Sequence, residues 1–493
     1  MPTLTYFTTL IVVTFGASFQ FYSFGVINPL QNVLETWIND SYRLRTGTGI
    51  SPYAMAWLWS FTSASMCLGA SVGCLVMRSI AEYFGRRDGL IANGALNVIA
   101  GILHILAKVF WSPELLIAGR IGYGICMGIA SGLVPMYLME ISSMHYRGAA
   151  GTAHQISCAF SEWFSLFMGL PVALGTVDSW PFALAFPAVP AAVLCTMLPL
   201  LPQSPRYLLI TKKNRQSAYD AASRLLGDDS SSYIDALEEE ARTHALKLSY
   251  MKQTVDPRPA SVIELLRASV LRRAILIALL VMVAQQFTGC AAVFAYSTNI
   301  FIQASVSPST AQYCTLAIGI AYFLCVLPSA YLIEKRGRRF LSLLQLSGCL
   351  SMLVLLSLSI WIGNAYQQSW ASTVSILALV LYMCIYGVGS PIPWLITGEL
   401  FTLHFKSAAV TISTFAAWAI AFVVAMAYLP IQQSLGAAAS FLPFIVVLSV
   451  CIWLIYKFLP ETSNRPVEQI MQELISCKNV NGVIGAGYSE LIF

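Results

Sequence analysis

Two adjacent amides, Gln285 and Gln286, and the pair Thr288-Gly289 interrupt the apolar run VMVAQQFTGCAAVFAYSTNIF between Val281 and Phe301. In hydrocarbon each carboxamide would be stranded unless it faced a wet cavity or a partner helix, and Gly289 loosens the helix just beyond them. Hydrogen bonding to a polar solute near mid-membrane is the chemistry such groups offer, at the kind of broken helix where transporters bind substrate. The plainer alternative is that the glutamines bridge neighbouring helices. His154, Gln155 and Glu162 interrupt a second apolar run, and the seven-residue interval puts Gln155 and Glu162 on nearly one helix face, toward the same cavity. Arg120, inside a third run, costs about 2.5–3.5 kcal/mol on insertion scales and needs a carboxylate, carbonyls or water.

Pro391-Ile392-Pro393-Trp394 cannot be a regular helix interior, because neither proline donates to the ladder. A broken helix carrying an indole suits a sugar, whose C–H face stacks on rings while its hydroxyls meet amides. Gly119 to Gly124 lacks the spacing of a nucleotide loop; Gly124, Gly128 and Gly132 instead form a small-residue ladder for close helix packing. The sequence contains no nucleophile–base pair, metal cluster or phosphate loop, so neither an enzyme nor a cofactor or metal is expected.

The elements that must position these groups follow from composition. With 57% hydrophobic and 10% charged residues the chain falls far from a soluble domain and belongs in a lipid bilayer, and a net charge of +5 gives no reason for a nucleic-acid partner. Eleven of the twelve cysteines lie in apolar runs and read as small core residues; Cys477 alone is in a polar segment. Windows of about 20 apolar residues predict twelve transmembrane helices. The expected class is an all-α membrane protein with two six-helix bundles, residues 1–201 and 273–459, joined by a helical linker over 202–272 and followed by a tail over 460–493. The eighth span is expected from Thr310 to Ile333. In the linker, helices are expected at Arg215–Leu226, after Ser232, and at a capping box of Ser261 and Glu264.

Basic residues fall in alternate connections, which places both termini in the cytoplasm and the sequon Asn39-Asp40-Ser41 outside, where Asn39 could carry a glycan. The halves echo each other at those cytoplasmic ends: Gly85-Arg86-Arg87 recurs as Gly337-Arg338-Arg339, and Glu140 with Arg147 as Glu399 with Lys406. Pro202 to Arg206 recurs faintly as Pro460 to Arg465. Such charges, with Arg206 and Glu334, are expected to pair between the halves and hold the inner mouth shut, beyond acting as positive-inside anchors.

Taken with PMYLMEI at 135–141, PQSPRYLL at 202–209, QQFTG at 285–289, EKRGRR at 334–339, PIPW at 391–394, GELF at 398–401 and PETSNR at 460–465, these motifs resemble the sugar porter family of the major facilitator superfamily, and within it the animal facilitative glucose transporters. The resemblance implies a central hexose site, a rocking mechanism and a plasma-membrane location. It carries sugar contacts onto Gln155, Gln285, Gln286 and Trp394 and an aromatic wall onto Trp418. It also marks departures, with Ala291, Tyr322 and Ala417 standing where glucose-carrying relatives have Asn, and Gln203 where a Glu is usual. The expected activity is facilitative transport of a hexose such as glucose or fructose. Alternatives are a non-transporting sugar sensor and a proton-coupled sugar or polyol symporter; symporters of the family place an Asp where this chain has Ser23. Glu162 is expected either to replace lost sugar contacts or to neutralise Arg120.

Overall fold

Crossing about 30 Å of hydrocarbon takes about 20 apolar residues in a helix. In the computed structural model, which describes residues 3–143, 146–250, 261–268, 271–463, 465 and 467–476, eleven helical stretches meet that need. Five are spans one to four and six: Leu4–Gly25, Pro52–Tyr83, Arg86–Val109, Pro113–Ile141 and Trp180–Leu200. Six are spans seven to twelve: Arg272–Gln303, Pro308–Val326, Arg338–Tyr366, Trp370–Glu399, His404–Leu435 and Ala439–Phe458. The fifth span, Arg147–Met168, is long enough but less apolar, because His154, Gln155 and Glu162 lie in it. Among the described residues every regular element is helical.

Large apolar side chains such as Leu75, Ile99, Leu355, Val446 and Trp453 are exposed on the outside, as lipid-facing surfaces require. The glycine ladder finds its partner in span two. A Cβ on Gly124 would lie 2.0 Å from the Met66 carbonyl oxygen and one on Gly128 2.2 Å from that of Ala70, so only glycine permits this approach.

Three spans are broken where the sequence is polar or proline-rich. Span one tightens into a 3-10 turn at Ser18–Phe21; span seven breaks at Thr288 and Gly289, whose φ is +84°; span ten restarts at Ile392 with Pro391 as its cap. The eighth span is shorter than expected. It ends at Val326, and Pro328, which cannot donate to the ladder, separates it from a short helix at Ser329–Arg336.

Among the described residues, spans one to six and seven to twelve meet most extensively along three helix pairs: two with eleven, five with eight, and one with seven. In the linker, Arg215–Leu226 ends at Gly227 with φ +62°, and Val262–Arg267 carries the capping box of Ser261 and Glu264. The helix between them starts at Ser230, two residues before the expected cap. The Thr3 hydroxyl lies within hydrogen-bonding distance of the Leu225 and Arg224 carbonyls, so the start of the chain docks on the linker. Residues 251–260 and the tail beyond Ser476, with Cys477, lie outside the described residues.

Candidate functional site

The break in span seven is held from two neighbours. The Thr288 hydroxyl donates to the Gln285 carbonyl, and the Tyr382 hydroxyl of span ten donates to the Thr288 carbonyl at 2.9 Å. Gln285 is buried and its Oε1 accepts from Gln345 Nε2 of span nine at 3.0 Å, so one of the two amides does bridge helices. Its own Nε2 has no hydrogen-bond partner in the protein. Gln345, which the sequence reading passed over, also touches the break in span ten: a Cβ on Gly389 would lie 2.2 Å from its Oε1. Gln286 is buried beside Gln285, and Gln155 of span five is half-buried.

Aromatic rings form a continuous arc across both halves. Trp394 stands 6.2 Å from Trp418, which meets Phe21 and Phe24 of span one at 6.4 Å each. Phe24 meets Phe294 at 5.8 Å, Phe294 meets Tyr322 at 5.4 Å edge-on, and Tyr322 meets Tyr386 at 6.0 Å. Ala291 and Ala417 are buried and contribute no side-chain polar atom.

Arg120 and Glu162 do not pair. The Arg120 guanidinium is 1% exposed and donates to three carbonyls: Thr62 at 2.7 Å, Ser63 at 2.9 Å and Ser23 at 3.1 Å. Three carbonyl dipoles satisfy its donors, so the expected carboxylate partner is replaced by backbone. Glu162 instead faces the Tyr322 hydroxyl of span eight, and its Oε2 has no hydrogen-bond partner. His154 Nδ1 is 2.7 Å from the Ser18 hydroxyl at the bend of span one.

At the end of the bundle away from the linker, Asn28, the last residue of the Gly25-Val26-Ile27-Asn28 run that shares in the family resemblance, ties the halves together. Its Nδ2 donates to the Phe294 carbonyl at 2.8 Å and to the Ser297 hydroxyl at 2.6 Å, while its Oδ1 accepts from the Thr298 N–H. The Asn39 Oδ1 accepts from the Ile50 N–H at 3.0 Å, and the Ser41 hydroxyl is buried against the Trp111 carbonyl.

At the linker end, the described pairs among the echoed charges lie within a half, where the sequence reading expected pairs between halves. Arg86 Nη2 donates to Glu140 at 2.9 Å, and Arg338 Nη2 lies 3.0 Å from Glu399. The physical reason is that each acid sits at the end of the span packed beside the arginine's own span, within reach without crossing the cleft. Arg87 bonds its neighbour Asp88 and the Leu201 carbonyl, and Arg339 the Tyr456 carbonyl. Arg206 is half-buried, Glu334 and Lys406 are exposed, and the Arg147 side chain lies outside the described residues.

Residues 9–474 match the family described as sugar (and other) transporter. Sheep facilitated glucose transporter member 3 of solute carrier family 2 is 34% identical over 463 residues, covering 93% of this chain and 90% of that protein. Human member 4 is 33% identical over 472 residues, 94% and 90% of the two chains. Among solved structures, the Escherichia coli xylose transporter XylE in a partially occluded inward-open conformation superposes with a TM-score of 0.75 at 19% identity, covering 94% of this chain and 100% of the other. The proton:xylose symporter XylE bound to 6-bromo-6-deoxy-D-glucose gives 0.72 at 20% identity, covering 95% and 98%. Both share the two-bundle fold of the major facilitator superfamily with this chain.

Proposed function

The chain belongs to the sugar porter family of the major facilitator superfamily, and on that premise we propose that it carries a sugar down its gradient across the plasma membrane by alternating access. The observation that carries this reading is the juxtaposition of amides and rings at broken helices from both halves: Gln285 and Gln286 at the span-seven break, and the arc from Trp394 through Trp418 to Tyr322. Amides supply both donors and acceptors to hydroxyls, and ring faces cover the C–H surface of a pyranose. Gln155, Gln286, Trp394 and Trp418 are assigned to the sugar; Gln285 shares its acceptor with Gln345 and keeps its donor for substrate. Both termini are assigned to the cytoplasm from the distribution of basic residues.

Uniport is assigned because Arg120 is satisfied by carbonyls and Ser23 offers no side-chain carboxyl beside it. Proton-coupled symport is the second reading, favoured by Glu162, a buried carboxyl where spans five and eight join the halves. Labelled-hexose uptake in transporter-null cells, with a panel of competing sugars, tests transport; repeating it with an imposed proton gradient tests the mode. Uptake that stops at equal concentrations and ignores the gradient supports uniport. Accumulation driven by the gradient replaces it with symport, and no uptake of any sugar defeats the transport reading.

A further inference from the structure

Glu162 is the one acidic residue that lies more than a turn inside a spanning helix; Glu82, Asp88, Glu114, Glu140 and Glu399 all sit at span ends. It is 7% exposed, and one of its oxygens has no hydrogen-bond partner. Its surroundings hold no resident cation among the described residues. On its own helix the neighbours are Cys158 and, two turns away, His154, whose Nδ1 is engaged with Ser18; across the seam stand Tyr322 of span eight and Cys290 of span seven. Arg120, the guanidinium buried in the same half, is committed to three carbonyls. A carboxyl in such a setting is stable only with a counter-charge or a proton, and among the described residues the fold supplies no cation beside it.

The rings that run on from Tyr322 are suited to receive one. Tyr322, Phe294 and Tyr386 continue through Phe24 to Trp418 and Trp394, and aromatic faces attract a cation that a carboxylate already draws. A neutral hexose brings hydroxyls that can bond to Glu162 but cannot cancel its charge.

We propose that the transported sugar carries an amino group, whose ammonium pairs with Glu162 against the face of Tyr322 while the remaining hydroxyls meet Gln155, Gln285 and Gln286. This rests on the sugar-transport reading and narrows its substrate class to hexosamines. The full chain reconstituted in proteoliposomes at about pH 6.5, where the amine is protonated, is assayed for initial uptake of labelled D-glucosamine and D-glucose. Wild type favours glucosamine by kcat/KM on the order of tenfold. The ratio collapses toward unity in Glu162→Gln and is kept in part by Glu162→Asp. Glucosamine, and not glucose, raises the Tm of the detergent-solubilised wild type, a readout independent of how the variants fold. Glucose carried as well as or better than glucosamine, or a ratio unchanged in Glu162→Gln, overturns the proposal and leaves sugar transport standing. So does uptake of both sugars driven equally by a proton gradient and lost in Glu162→Gln, which puts a proton on that carboxyl. Neither sugar moving nor shifting the Tm defeats the transport reading itself.

Discussion

The linker ends of spans three and nine are built to one plan and differ in where they place negative charge. Each begins after a glycine with positive φ, Gly85 at +87° and Gly337 at +84°. Each first arginine reaches an acid at the end of another span, Arg86 to Glu140 and Arg338 to Glu399, and a hydroxyl from the segment after the last span of that half, Ser204 or Thr462, donates to that acid. The side chain that caps the helix start is where they part. Gln203 Oε1 accepts from the Arg87 and Ser204 N–H groups, whereas the Glu461 carboxylate accepts from those of Arg338, Arg339, Thr462 and Ser463. The ion pairs differ in the opposite sense: Arg86 and Glu140 are 15% and 10% exposed, Arg338 and Glu399 16% and 29%. The first half keeps its pair in a drier place under a neutral cap; the second keeps a wetter pair under a charged one. Charge at these sites is distributed by burial, not by copying the repeat.

Breaking the pairs should expose that difference most strongly. Removing one partner of a buried ion pair leaves an uncompensated charge and costs about 3–5 kcal/mol, so Glu140→Ala should lower the thermal unfolding midpoint in detergent more than Glu399→Ala. Equal shifts, or a larger loss at Glu399, would contradict the assignment of the drier site to the first half. On the expectation that the linker-end charges bias the conformational equilibrium, Glu399→Gln and Arg147→Gln should reduce turnover several-fold in transport assays with little change in KM. A rise in KM at constant turnover would remove them from that role.

A smaller effect is expected at the two glycines. A Cβ on Gly85 would meet the Tyr207 ring at 2.6 Å, and one on Gly337 would meet Glu461 Oε2 at 2.8 Å, both at positive φ. Alanine at either position should cost about 1–3 kcal/mol from the backbone alone, which combines positive φ with ψ near 180°. Gly85→Ala should be the worse, since a packed ring yields less readily than a carboxylate at the rim. Thermal unfolding of the two variants side by side decides this, and a milder loss at Gly85 would refute the rigid-ring account.

Much of this was legible in sequence because it is written in residue type: the apolar spans, the break at Gly289, the stop at Gly227 and the capping box at Ser261 each follow from local chemistry. What stayed hidden depends on backbone partners or distant ones. Arg120 announced a need for compensation, but carbonyls of Ser23, Thr62 and Ser63 leave no mark on side-chain identity. Glu140 and Arg147 are expected from sequence to pair between the halves, yet the described partner of Glu140 is Arg86, on another span of its own half. Gln345 looks like an isolated polar residue in an apolar run, and Asn28 belongs to a family-like run that names no partner; only the folding of spans nine and one against span seven gives them partners.

Exchanging the caps tests the comparison at its finest. A helix start favours negative charge because its free N–H groups and the macrodipole point toward it, typically by 0.3–1 kcal/mol (roughly) where solvent reaches the site. Glu461→Gln should therefore lose about that much, since a carboxamide oxygen can hold at most a subset of the four N–H groups now shared by two carboxylate oxygens. Gln203→Glu is the more informative direction. If the helix start and the guanidinium of Arg86 dominate, it should stabilise the first half by a similar amount and slow turnover slightly, because the linker end would hold together more firmly. Two acids oppose it: Asp88 in the first turn of span three, and Glu140, which receives the Ser204 hydroxyl next in sequence to position 203. A lower unfolding midpoint in Gln203→Glu would mean that repulsion from these acids outweighs the dipole. The neutral cap would then be what allows Glu140 to be buried with Arg86, and Gln203→Glu combined with Glu140→Gln should recover the loss.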